Sequence, residues 1–364
     1  MGLDACRALA IVLVVFSHGA GYLEPLFPHA IARLSGVGFI GVELFFVLSG
    51  FLIGGMLLRS AGEAGNGWLR TFYFRRLFRT FPSYVLFVLL NVALGALLMR
   101  PPVPDDLWRY LLFIQNATSP HPNFFPEAWS LAIEELFYIG FPLSYLVISR
   151  LLGIRRQTAI LVTALIVIVG SLLGRGVLLA DPVSWDEEVR KVAVFRFDGL
   201  MAGVLLAWVH QNHPWILNNK IVARLLVGLL LFSGIYVSLL PTNAMNASFF
   251  SRTFLFTCTS FGCAGLVIAS LDFRLPSGLE GFVTQLAKIS YSAYLVNLPV
   301  LIVINQLVVN DGIVGAAWCL VFHIATFASA AVLYERYELV FHRIRDQYVP
   351  SKERTSHLRI RLAA

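Results

Sequence analysis

Charged side chains are scarce in this sequence: Asp, Glu, Lys and Arg make up 13% of its 364 residues, while 58% are hydrophobic and the mean hydropathy is +0.75. That leaves too little polar surface to cover a soluble domain of this length, so an ordinary water-soluble fold is excluded. Cysteine is scarcer still. Cys6, Cys258, Cys263 and Cys319 all fall in apolar segments, which argues for small packing residues and against a disulfide framework. The remaining histidines, His29, His121, His210, His213, His323, His342 and His357, lack metal-ligand spacing, and no metal is assigned. A nucleophile elbow, a P-loop and a dinucleotide fingerprint are all absent. So are an internal repeat and any extramembrane stretch long enough for a second domain.

What is present is a series of apolar runs. Ten spans are predicted, near residues 4–23, 37–58, 82–99, 129–149, 157–179, 191–209, 222–240, 250–271, 289–308 and 312–334, each with about twenty mostly apolar residues. The expected fold is therefore an all-α, polytopic membrane helix bundle. Residues 1–342 would form the transmembrane domain and 343–364 a basic cytoplasmic tail against the inner leaflet. The first run follows the initiator Met with neither a basic n-region nor a small-residue cleavage site, so it is expected to remain as a helix. Trp108 to Ile114 is apolar but too short to cross and reads as a re-entrant or interfacial piece.

Basic residues crowd alternate loops: Arg59 to Arg79, then Arg150 to Arg156, Lys220 and Arg224, Arg274 and Lys288, and the tail from Arg336. The positive-inside rule puts these loops and both termini in the cytoplasm. Asp105, Asp106, Glu127, Asp181, Asp186, Glu187, Glu188 and Asp311 then lie outside. The net charge of +7 is accounted for by topology and by attraction to anionic membrane lipids. No basic patch interleaves with aromatics in a soluble domain, so nucleic acid is not an expected partner.

Ionisable residues inside spans are functional candidates by default. Arg7 and His18 share the first span with ten residues between them, which places them on nearly one helix face, roughly 16 Å apart. Counted from the outer ends of their spans, His18, Glu43 and Glu134 all lie roughly 8–9 Å deep, and Arg196 and Asp198 enter the sixth span near that level. A carboxylate beside His18 would orient the imidazole and make it a better general base toward a hydroxyl. The same depth agreement also fits a structural polar pair or a proton relay. Arg75 and Arg79, four apart, would form a fork on a short helix at the cytoplasmic surface, suited to phosphates or to anionic lipid headgroups. Gly50-Phe-Leu-Ile-Gly54 and Gly199-Leu-Met-Ala-Gly203 read as small-xxx-small packing motifs.

Four stretches in order resemble the bacterial membrane acyltransferase family 3. They are Leu3-Asp4 to His18 with its Arg-x10-His spacing, Gly41-Val-Glu43-Leu-Phe-Phe-Val-Leu-Ser49-Gly50, Arg75-Arg76-Leu-Phe-Arg79-Thr-Phe-Pro82, and Trp129-Ser130-Leu-Ala-Ile-Glu134-Glu135-Leu-Phe-Tyr138. Arg196-Phe-Asp198-Gly199 and Ile289-Ser-Tyr-Ser-Ala-Tyr294-Leu continue the resemblance more faintly. It implies transfer of an acyl group, by family weight acetyl, from cytoplasmic acyl-CoA (acetyl-CoA) as donor substrate to a hydroxyl of a carbohydrate or glycolipid acceptor, in a multi-pass protein of the bacterial inner membrane. By the same resemblance His18 is the catalytic base with Glu43 orienting it and Arg7 supporting the donor. Arg75, Arg76 and Arg79 engage the coenzyme A phosphates, while Ser49, Trp129, Ser130, Glu134 and Tyr138 shape or support the acceptor side.

Two departures occur late. Asn297 stands where the family often has a histidine, and Glu338-Leu-Val340 where it often has Glu-x-Pro; neither is expected to touch the core chemistry. The outer loop from Pro101 to Glu127, with Trp108, Tyr110, His121 and Phe124, is a candidate gate for the acceptor. Two readings from other classes compete. A proton-coupled exporter of a lipid-linked sugar or glycoside would also use His18, Glu43 and Glu134 at one depth, and a structural membrane subunit would tolerate neutral replacement of Arg7 and His18.

Overall fold

The computed structural model describes residues 1–28, 31, 36–60, 67–98, 103–179, 183–307 and 313–349, and all regular structure among them is helical. The principal helices are α1 (Gly2–Gly19), α2 (Phe39–Ser60), α3 (Gly67–Leu97), α4 (Ala128–Leu152), α5 (Arg156–Leu173) and α6 (Phe197–Asn212). They continue with α7 (Lys220–Leu239), α8 (Leu255–Leu271), α9 (Ser277–Lys288), α10 (Ser290–Asn305), α11 (Ile313–Leu333) and α12 (Leu339–Tyr348). A backbone in hydrocarbon must satisfy its own polar groups, and helices do so within one segment.

Among the described residues seven segments are long and apolar enough to cross a membrane: Gly2–Leu23, Gly36–Ser60, Gly67–Leu97, Ala128–Leu152, Arg156–Leu178, Ile221–Leu239 and Val314–Tyr348. The other three expected spans take different forms. Residues 191–209 contribute the 16-residue α6. Residues 250–271 break at Phe254 into the turn Phe249–Thr253 and the 17-residue α8. Residues 289–308 form α10, bent by 64° from α9.

The basic stretch expected as a short surface helix is instead the first half of α3, which runs unbroken through Pro82. A proline removes one N–H from the ladder, and neighbouring groups compensate for such a defect in membrane helices. Beside it the Tyr291 and Tyr337 hydroxyls donate to the carbonyls of Thr80 and Pro82, at 3.0 and 3.2 Å, tying this stretch of α3 to its neighbours without replacing the bond lost at the Phe78 carbonyl. The expected boundary at residue 343 falls inside α12, and residues 350–364 of the expected tail lie outside the described residues, as do Pro101, Asp181 and Asp311.

α2 is the most enclosed span, with 67% of its apolar window buried, and α6 is its most extensive neighbour. The two small-xxx-small motifs meet each other. A Cβ on Gly50 would sit 1.8 Å from the Leu200 carbonyl oxygen, and one on Gly203 would sit 2.1 Å from that of Val47. Only glycine permits this approach of two backbones. It brings the middle of α2 against the first half of α6, and α1 packs alongside on α2, α8, α9 and α10.

Candidate active site

A cavity of about 1100 Å³ opens between α1, α2, α3, α4 and α10. Six arginines line it: Arg7, Arg59, Arg75, Arg76, Arg79 and Arg345. Among the described residues Glu134 is the single carboxylate in its wall. Ser49 donates to Glu134 Oε1 at 2.9 Å and Tyr138 donates to Oε2 at 3.0 Å, so this acid is held from both sides. Arg76 lies over the Tyr138 ring at 3.5 Å, a cation–π contact that fixes the guanidinium at the wall. Away from the arginines the cavity ends at Ser130 and Tyr294, whose hydroxyls are 2.5 Å apart.

His18 is not in the cavity wall but contacts α10 one turn beyond Tyr294. Asn297, three residues and about 4.5 Å along α10 from Tyr294, contacts it, with Asn297 Oδ1 and His18 Nδ1 2.5 Å apart. The Asn297 amide nitrogen donates to the carbonyls of Ala293 and Tyr294, at 3.2 and 2.6 Å, and this settles which way the amide points. Oδ1 is therefore the atom facing the imidazole, Nδ1–H donates to it, and Nε2 keeps its lone pair. The orienting partner of His18 is thus Asn297 and not Glu43. The late departure at Asn297, expected to lie apart from the chemistry, touches the candidate base directly.

Glu43 has another role. Its Oε1 pairs with Arg196 and its Oε2 accepts from Ser260 at 3.0 Å. Asp198 continues the chain, accepting from Arg175 at 2.8 Å and from Thr257 at 2.5 Å, and Arg175 also donates to the Phe195 carbonyl at 2.7 Å. Arg196 lies 4.0 Å from the Phe256 ring centroid. All four ions are at most 1% exposed. Two carboxylates and two guanidiniums give a neutral, enclosed chain that ties α2 to α6, to α8 and to Arg175 beyond α5.

The reason Glu43 misses the cavity is angular. Glu43 and Ser49 are six positions apart on α2, so at about 100° per residue their side chains diverge by about 120°. Depth agreement does not bring groups together when they face different neighbours. His18, Glu43 and Glu134, expected at one level, consequently do not share a chamber. Trp129 is likewise off the cavity, buried edge-on against Phe46 beneath Arg190, whose guanidinium is 4.8 Å from the indole ring. Arg7, Arg75, Arg76, Arg79, Ser49, Ser130 and Glu134 do converge on the cavity. Arg175, Arg345 and Asn297 were not anticipated. An arginine within an apolar run was the available signal for Arg175.

The segment between α3 and α4 covers the Ser130–Tyr294 end. Its Trp108–Leu111 part is a single helical turn with Trp108 exposed, and Phe113 adopts φ 58°, a backbone conformation rare for a bulky residue. Glu127 is 2% exposed, and both of its carboxylate oxygens lack a hydrogen-bond partner, while its carbonyl accepts from Tyr294 at 3.2 Å. Burial pushes its carboxyl up to about 8. Burial likewise pushes the His121 imidazole down to about 4, even though its Nε2 donates to the Phe125 carbonyl at 2.8 Å. At Asp186 burial is outweighed by Arg190 and Lys191, which hold the carboxyl down at about 2. Among the described residues no group of His, Cys, Asp and Glu is placed to hold a metal ion.

Residues 2–335 match a family model described as an acyltransferase domain. O-acetyltransferase OatA of Staphylococcus aureus is 28% identical over 344 residues, covering 86% of this chain and 52% of that protein. A provisionally named O-acetyltransferase of Staphylococcus aureus strain COL is 33% identical over 170 residues, covering 43% of this chain and 26% of its own length. The chain thus spans about half the length, or less, of these curated relatives. No solved structure matches the chain with significance.

Proposed function

Because the chain belongs to this acyltransferase family, we propose that it is an integral-membrane O-acyltransferase, moving an acetyl group from cytoplasmic acetyl-CoA to a hydroxyl of a carbohydrate or glycolipid. The observation that carries the reading is the cavity: six arginines line it together with Ser130 and Tyr294, and one helical turn along α10 from Tyr294 stands Asn297, the partner of His18 Nδ1. A coenzyme A molecule suits that shape, with its phosphates among Arg75, Arg76 and Arg79 and its pantetheine arm, roughly 15–20 Å long, directed along α1 from Arg7 toward His18. Arg7, held by Asp4 at 3.0 Å, guards the start of that path.

In this mechanism the acceptor hydroxyl gives its proton to His18 Nε2 as its oxygen attacks the thioester carbonyl. The C–S bond breaks, and the sulfur leaves with the proton returned from the imidazolium. Asn297 holds the ring in the required tautomer without adding a charge. Ser130, Tyr294 and Glu134 supply hydroxyl and carboxylate contacts between the two substrates.

The placement that serves this chemistry is a multi-pass protein of the bacterial inner membrane, with the arginine end and both termini cytoplasmic and the His18 end facing outward. The positive-inside charge pattern supports that orientation. The bent α9–α10 pair, α6 and α8 would bring the seven long spans to ten, because enclosed helices need not cross alone. Residues 1–342 then act as one transmembrane domain, followed by the basic tail 343–364. The test is transfer of labelled acetyl from acetyl-CoA to glycan or glycolipid in membranes of the source cell. His18→Ala at equal membrane abundance should abolish label incorporation. Retention of wild-type transfer by that variant would exclude His18 as the base.

A further inference from the structure

Two arginines of the cavity wall, one on α3 and one on α12, meet at the same acidic side chain. Arg75, from α3, donates from Nη1 to the carbonyl of Val349 at 2.5 Å, and its Nη2 lies 3.4 Å from Asp346 Oδ1. Arg345, from α12, lines the same cavity and donates from Nε to that same Oδ1 at 3.0 Å. One carboxylate oxygen therefore sits between two guanidiniums, one from each side of the cavity wall. The arrangement is also accessible, because the Arg75 and Asp346 side chains are 29% and 30% exposed. The Phe74 and Tyr348 rings, with centroids 6.3 Å apart, hold α12 against α3 at this point.

A single oxygen shared by two arginine forks is also how a phosphate oxygen is held. We propose that Arg75 and Arg345 form a phosphate site that Asp346 occupies as a built-in counter-anion, so that a phosphate-bearing ligand binds by displacing the Asp346 carboxylate. This deepens the donor reading and rests on it. Arg345 becomes a donor-binding residue supplied by α12, outside the basic stretch of α3, and Asp346 sets how strongly the site resists its ligand. Arg76 and Arg79 lie further along α3 in the same wall, so a phosphate at Arg75 would be the outermost of those the cavity takes.

The experiment is direct binding of coenzyme A to the purified full chain in detergent free of anionic lipid, comparing wild type with Asp346→Asn, Asp346→Glu and Arg345→Gln. Asparagine removes the competing charge while keeping size, and Kd for coenzyme A should fall roughly two- to fivefold, the scale of a partly exposed ion pair. Asp346→Glu should remain near wild type, and Arg345→Gln should weaken binding. A merely structural role for Asp346 would instead lower thermal stability without tightening the ligand. A second arm measures phosphatidylglycerol bound from nanodiscs of stated composition. Tightening confined to that lipid would assign the site to a headgroup and remove it from the donor path. If wild type binds coenzyme A and Asp346→Asn changes neither ligand, the counter-anion proposal is wrong while the donor reading stands. If wild type binds no coenzyme A, the donor reading falls first.

Discussion

Two regions of this protein place arginines beside carboxylates inside the membrane-spanning bundle, and they do opposite things with them. In the chain Glu43–Arg196–Asp198–Arg175, charges balance one for one, every ion is enclosed, and the side chains fill the space between helices. In the cavity, among the described residues, six arginines and one glutamate form the wall, Asp4 and Asp346 pair with three of those arginines, and about 1100 Å³ is left open with cations still in excess. Balanced charge with no room locks helices, because each ion's desolvation is met by its partner. Unbalanced charge with room calls for an anionic ligand. The presence of an ionisable residue in a span is thus a weak guide to its role. What separates the two cases is the local sum of charge and the free volume beside it.

The sharpest way to break the comparison is to unbalance the closed chain. Arg196→Met should leave Glu43 and Asp198 short of a cation and cost about 3–5 kcal/mol, the penalty of stranding a buried charge. The expected outcome is a large drop in thermal stability in detergent, and the double variant Glu43→Gln with Arg196→Met should recover part of it. The matching change in the cavity is Arg79→Gln. There the donor KM should rise by roughly tenfold, as one charged phosphate contact is lost, while the melting temperature stays near wild type. Equal stability losses for the two variants would erase the distinction.

A smaller effect comes from Glu127, which belongs to neither class: it is enclosed, yet has no cation and no hydrogen-bond partner for its carboxyl. Its folded value of about 8 lies above the ordinary 4.5, so the folded chain keeps a proton that the unfolded chain loses between those limits. Stability from this group is therefore full below 4.5 and lost as pH rises toward 8, by at most about 1.4 kcal/mol per pH unit. His121 slopes the other way, losing stability as pH falls from 6.5 toward 4. Glu127→Gln should remove the loss between pH 4.5 and 8 and leave the His121 slope in place, which thermal melts from pH 4 to pH 9 would show.

Seven candidate membrane spans, the packing role of the two glycine motifs, though not that they pair with each other, and the clustering of arginines were legible in the sequence. Each depends on a local pattern: apolar length, a four-residue spacing, a run of like charge. The partner of His18 was not legible, because it lies 279 positions away and is reached only when α10 is laid against α1. Glu43 was assigned to His18 from depth alone, and boundary counting says nothing about which neighbour a side chain meets; the carboxylate meets Arg196 and Ser260 instead. The continuity of α3 was hidden by its own composition. Its polar first half, Trp68 to Arg79, reads as a loop, and helical pairing with α12 and the tyrosine donors near Pro82 make it one rod.

That rod has a further meaning. At 31 residues α3 is about 46 Å long, against a hydrocarbon core of about 30 Å, so it serves as a ruler standing in the bilayer. Its arginines are ruled off at fixed heights along it. The thickness of the surrounding lipid therefore sets how far Arg75 and Arg79 stand from the aqueous boundary, and a change of a few ångströms in that thickness shifts both by the same amount. Lipid chain length then becomes a control on this protein that acts through no binding site at all.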